Sequence, residues 1–129
     1  MLEQIDTEIL ANRVGTLATI APGGGPQQTA VWFIVQDDHI LISINAKRKK
    51  ARNLAANATC SLLIFHPQSD DYYAEVRGTA TLIEDNDYRV ADVIAQRYDA
   101  DFRAFDQPGD GRIVIDIAPE RIVLTDVRD

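Results

Sequence analysis

All three lysines of the chain stand in one short stretch, Lys47-Arg48-Lys49-Lys50-Ala51-Arg52, and five of the thirteen basic residues fall there. The rest of the chain is acidic, and the formal net charge is -7. Cations focused this tightly on an acidic body point to an anionic ligand docking on them. The flanking residues sharpen the reading. His39 to Ile44 is an apolar run that reads as a strand, and Asn45 after it is a good helix N-cap. Lys47 to Asn57 is rich in Ala, Lys, Arg and Leu, which form helices well. The cations then crowd the first turns of a helix, where the macrodipole disfavours each by ~0.3–1 kcal/mol. Arg48 and Arg52 also repel at i, i+4. A sequence that accepts both costs fits a phosphate site, where side-chain cations and free helix N–H groups converge. The alternative is a solvated basic face on a surface helix.

Other chemistry finds little support. His39 and His66 are the only histidines, far apart and each in a strand, and Cys60 is alone, so no metal set forms. Nothing around Cys60 suggests an activated thiol. Ser43, Ser61 and Ser69 lack the turn of a nucleophile elbow. Pro22-Gly23-Gly24-Gly25-Pro26 lacks the spacing and the Lys-Ser/Thr of a phosphate loop and reads as a hairpin turn. With no catalytic apparatus of its own, the chain needs a bound cofactor to act as an enzyme.

The elements that must position these residues follow from periodicity. At 129 residues the chain is expected to form one domain, 1–129, with a real core. The pI near 4.7 argues against a nucleic-acid binder. The lone cysteine fits a reducing compartment, and no apolar run reaches ~18 residues. A cytoplasmic protein with no membrane or nucleic-acid partner is expected. Residues 3–12 read as a short helix. Strands are expected at 14–21, 27–36, 39–44, 59–66, 72–84, 112–118 and 121–125, with helices at 47–57 and 85–98. Gly78 within a strand suggests a bulge or a close backbone approach. Residues 99–111 read as irregular, with Phe102 and Phe105 available for packing. Short antiparallel strands with three helices indicate a mainly β fold, a closed or partly closed barrel.

The order of motifs is then informative. A strand with Pro26-Gln27-Gln28-Thr29-Ala30-Val31-Trp32-Phe33 precedes one ending Ile42-Ser43-Ile44-Asn45. Lys50-Ala51-Arg52-Asn53-Leu54, a strand with Val76-Arg77-Gly78-Thr79-Ala80, Arg112-Ile113-Val114-Ile115 and Pro119-Glu120-Arg121-Ile122 follow. This resembles the split-barrel flavin and deazaflavin oxidoreductases of the pyridoxamine 5'-phosphate oxidase superfamily, and most of all the branch that uses the deazaflavin coenzyme F420. The resemblance implies a split β-barrel and cofactor contacts at matching positions. Lys50, with Arg48, would hold the phosphate, while Lys47 and Lys49 would meet the rest of an anionic tail or face solvent. Asn53 would secure the helix start. Ser43 and Asn45 would face the phosphate and ribityl chain. Thr29, Ala30, Val31, Trp32 and Phe33 would lie along the ring. Tyr73 would reach the site of a partner, because such proteins are usually homodimers.

Two departures stand out: Asn57-Ala58 where the family usually has Asn-Pro, and Ala30 where Asn or Pro is common. FMN oxidases of this kind commonly carry a cation on the strand before the phosphate helix, and 27–36 has no charge. That favours the deazaflavin, whose tail carries several negative charges, over FMN. The expected activity is hydride transfer to an unsaturated small molecule. The alternatives are an FMN-dependent oxidoreductase and a non-catalytic cofactor carrier.

Overall fold

The computed structural model describes residues 1–129. Seven strands form one antiparallel sheet: β1 (Gly15–Ile20), β2 (Pro26–Val31), β3 (Ile34–Gln36), β4 (His39–Asn45), β5 (Thr59–His66), β6 (Ser69–Glu84) and β7 (Arg112–Asp126). Their order is β2-β1-β5-β6-β7-β4-β3. The two edge strands, β2 and β3, are joined by Trp32 and Phe33 alone. A link of two residues spans only about 7–10 Å, so the sheet curls until its edges meet. This is the split barrel. It also corrects the reading of 27–36 as one strand: the segment breaks at Trp32-Phe33 and serves both edges.

The barrel interior is filled by alternate residues of its strands. Leu17, Phe33, Ile40, Ile42, Leu62, Ile64, Val76, Ile115 and Ile117 are each at most 1% exposed. β6 and β7 are the long ribs, paired from Tyr72↔Asp126 to Glu84↔Ile113. Their register shifts between Arg77 and Gly78. The expected break at Pro119 is therefore a bulge inside one strand, with Gly78 opposite Pro119. A Cβ on Gly78 would stand 2.3 Å from the Ala118 carbonyl oxygen, so the close backbone approach expected there is present. β6 begins at Ser69, earlier than the expected 72, so only a tight turn at Pro67-Gln68 separates it from β5.

The helices are shorter than periodicity suggested. Residues 3–12 divide into a 3-10 turn (Leu2–Gln4) and α1 (Thr7–Leu10), whose start is capped by the Asp6 carboxylate accepting from the Glu8 N–H. α2 spans Lys49–Ala56, and its N-cap is Arg48, not Asn45. Asn45 is the last residue of β4, and its Oδ1 accepts from the Lys47 N–H at 2.9 Å. It closes an Asx turn ahead of the helix. α3 spans Arg89–Tyr98. Buried Asp85 caps it from outside, accepting from the Val90 and Ala91 N–H groups. A second 3-10 turn, Phe102–Phe105, orders part of the stretch read as irregular. Beneath α3 a small cluster of Ala91, Ile94, Ala95, Tyr98 and Phe102 packs on Trp32, Ile34 and Leu41, outside the barrel. No helix is long and apolar enough to cross a membrane.

Candidate functional site

The site grows from the break between β2 and β3. Tyr98 of α3 uses one hydroxyl twice. It accepts from the Phe33 N–H at 3.0 Å and donates to the Phe33 carbonyl at 2.9 Å. Arg97 donates to the same carbonyl at 2.6 Å and reaches the Leu10 and Asn12 carbonyls. The backbone groups of the break are thus satisfied, and Trp32 is held in place. Its ring stacks on Tyr98 with centroids 4.5 Å apart and meets Phe102 edge-on at 5.9 Å.

Beside Trp32 lies a cavity of about 300 Å³, at the lower end of the ~300–1,000 Å³ range of small-molecule sites. Ala30, Val31 and Trp32 line it from the β2–β3 corner, and Ile42, Ser43, Ile44 and Asn45 from β4. Phe102 and Phe105 contribute from the 3-10 turn, and Arg112 from the start of β7. Arg48 and Lys50, at the start of α2, complete the wall. One part of the wall is apolar and aromatic, and the other is cationic.

Lys50 is the unusual member. It is only 5% exposed and has no acidic partner. Burial first, and then the Arg48 charge, push its pKa below that of an ordinary lysine. Withdrawing a lysine side chain from water with no carboxylate beside it carries a cost, and an anion in the cavity would offset it. The other cations are placed differently. Arg48 is exposed and also unpaired, whereas Lys47 pairs with Asp110 at 2.9 Å.

Arg112 and Asp106 were not legible as site residues. Arg112 is 3% exposed and grips Asp106 with two nitrogens, Nε at 3.1 Å and Nη2 at 2.5 Å. Its Nη1 approaches the Ser43 Oγ at 3.4 Å. Asp106 also accepts from Asn45 at 3.0 Å and from the Tyr88 hydroxyl. Burial alone would raise the Asp106 carboxyl, but the hydrogen bonds from Arg112, Tyr88 and Asn45 outweigh it and hold it below the usual value. The Gln107 N–H, then Lys47 and Asn45, bring Asp110 down to about 2. A strap of residues 106–111 is thereby tied over the strand end. The available signal was alternation: Arg112 shares a face of β7 with buried Val114, which calls for a partner.

Seven of the residues expected at the site line the cavity: Ala30, Val31, Trp32, Ser43, Asn45, Arg48 and Lys50. The others stand elsewhere. Phe33 is fully buried in the barrel. Asn53 is buried and donates to Thr19 at 3.1 Å and Gln27 at 2.9 Å, pinning α2 to the barrel. Thr29 keeps a buried hydroxyl without a hydrogen-bond partner. Tyr73 lies on β6, where its ring meets Phe65 at 5.1 Å.

The family model described as pyridoxamine 5'-phosphate oxidase matches residues 1–126, nearly the whole chain. The chain belongs to the pyridoxamine 5'-phosphate oxidase family. Solved structures agree. One named F420 reductase is 27% identical, with a TM-score of 0.80, covering 92% of this chain and 95% of that one. A conserved hypothetical protein of Mycobacterium tuberculosis is 30% identical, with a TM-score of 0.76, covering 95% of this chain and 82% of that one. The General Stress Protein 26 of Bacillus anthracis shares the fold at 23% identity and a TM-score of 0.71, covering 97% and 95%. No curated protein sequence matches. Flavin-type cofactors are what this oxidase-like family fold holds, and the residues of the cavity fit one: an unpaired buried cation for a phosphate, and apolar walls for a ring.

Proposed function

We propose that this member of the pyridoxamine 5'-phosphate oxidase family is a reductase dependent on the deazaflavin coenzyme F420, acting on an unsaturated small molecule. The observation that carries the reading is Lys50, buried and without an acidic partner, on the cationic side of a cavity whose other side is apolar and aromatic. Lys50 and Arg48 would hold the phosphate, and the Ser43 hydroxyl would meet the adjoining chain. Val31 and Trp32 would support the ring, with Ala30 leaving room at its edge. The reduced cofactor supplies a hydride when bound. The protein contributes position and an apolar, aromatic wall of Trp32, Phe102 and Phe105.

The choice over FMN is supported by the uncharged run from Pro26 to Gln36, which offers no further cation for a monoester phosphate, and by the likeness to the solved F420 reductase. Titration of the purified protein with F420 and with FMN, followed by fluorescence, tests it. F420 should bind at least about tenfold more tightly, a difference of ~1.4 kcal/mol. Tighter FMN binding would turn the reading to an FMN oxidoreductase. F420 binding with no turnover across electrophilic substrates would leave a cofactor carrier.

The same reading includes a homodimer. Phe65 is 38% exposed and stands directly opposite Tyr73 on the neighbouring strand, with the two rings 5.1 Å apart. Such an apolar, aromatic surface on the barrel ribs suits a second copy, and Tyr73 would then lie at that interface.

A further inference from the structure

We propose that the strap carboxylates set the charge of the ligand the cavity accepts: Asp106 and Asp110 cancel Arg112 and Lys47, leaving Arg48 and Lys50 as the uncancelled pair. The inference rests on the reading that the cavity takes an anionic, phosphate-bearing cofactor. Four cations converge on this end of the barrel, and they fall into two kinds. Arg112 lines the cavity but spends two nitrogens on Asp106, and both side chains are nearly sealed, at 3% and 5% exposed. Lys47 meets Asp110 at the rim, 69% exposed. Arg48 and Lys50 have no carboxylate. Asn45 ties the arrangement together, donating to Asp106 at 3.0 Å and to Asp110 at 2.8 Å. The two carboxylates therefore sit at fixed places relative to the four cations.

The consequence is specificity by charge. With four free cations the cavity would favour any polyanion. With two, the wall itself meets one phosphate, or a phosphodiester with one further carboxylate, and the remaining charges of a longer anionic tail would lie outside it in solvent. Arg112 is then a neutralised donor beside Ser43, not an anion clamp. Lys47 is likewise withheld from the cofactor tail.

The test uses the full chain with inorganic phosphate, pyrophosphate and F420 as probes, titrated by amide NMR at low salt. Arg112→Gln leaves the buried Asp106 carboxylate, just behind the wall, without its cation and should weaken all three probes by at least ~10-fold. Adding Asp106→Asn should bring affinity back to within ~3-fold of the parent, because the pair is removed as a unit. Asp106→Asn alone frees the third cation and should shift preference toward pyrophosphate by ~5–10-fold. Asp110→Asn acts through an exposed lysine and should change affinity by less than ~3-fold. Two results would overturn the proposal. One is a double variant as weak as Arg112→Gln, which would make Arg112 a direct anion ligand. The other is an equal loss for all probes in Asp106→Asn, which would make Asp106 only a scaffold. F420 failing to bind while phosphate and pyrophosphate follow the expected pattern would defeat the cofactor assignment and leave the charge rule standing.

Discussion

Lys49 and Lys50 are neighbours in sequence with opposite surroundings. Lys49 is exposed, while Lys50 lies under the cavity. Lys50→Ala should weaken cofactor binding by ~1.5–3 kcal/mol, as for a lost charge-assisted hydrogen bond. Lys49→Ala should cost less than ~1 kcal/mol. Titration of both variants at low and high salt measures the contrast. If the two residues exchange these effects, the placement of α2 is wrong. The pH dependence follows from the direction of the Lys50 shift. Its pKa is lowered, by burial first and then by Arg48, so its ammonium is lost at lower pH than a free lysine's ~10.4. Affinity should therefore fall as the pH rises through the depressed pKa. Lys50→Arg should remove that fall, since an arginine stays charged. A fall that persists unchanged in Lys50→Arg would place the titrating group elsewhere.

At the scale of elements, the β2–β3 break and the β6–β7 bulge are the joints that shape the barrel. Tyr98→Phe leaves the Phe33 N–H without its partner, while the Phe33 carbonyl keeps Arg97 and the ring stack on Trp32 stays in place. It should cost ~1–3 kcal/mol of stability, the penalty for a buried polar group left unpaired. Because the corner carries Trp32, cofactor affinity should fall with it. Urea unfolding and cofactor titration of the same variant check the two effects. Gly78→Ala forces a Cβ toward the Ala118 carbonyl and should destabilise by ~1–3 kcal/mol, the usual cost of overpacking. Wild-type stability in that variant would mean that the β6–β7 ribs part easily at the bulge. The glycine was readable as a close approach because a residue without a side chain inside an alternating strand needs a reason. The break at Trp32-Phe33 was not, because Val31 to Val35 is an unbroken apolar run with no Gly or Pro to mark it.

At the scale of the whole molecule, the acidic surface and the Phe65–Tyr73 pair lead to a concrete expectation. Sedimentation at micromolar concentration should show a dimer, and Tyr73→Asp should move it toward monomer by placing a charge in an apolar interface. A parent protein that sediments as a monomer would remove the dimer from the proposal. What the sequence by itself determined was the set of local facts: which segments extend, where glycine is required, where the positive charge is concentrated, and the family to which the motif order belongs. These depend on neighbours along the chain, and neighbours are what a sequence displays. Only the tertiary structure decided which cations stay free. Lys47 finds Asp110, and Asn45 holds both carboxylates, through a strap that returns to the end of β4 from more than fifty residues away, and the same strap folds Asp106 back onto Arg112 at the start of β7. Lys50 is left alone because α2 begins at Lys49 and turns that one side chain toward the cavity. Charge is written in the residue, but whether it is cancelled depends on what folds against it.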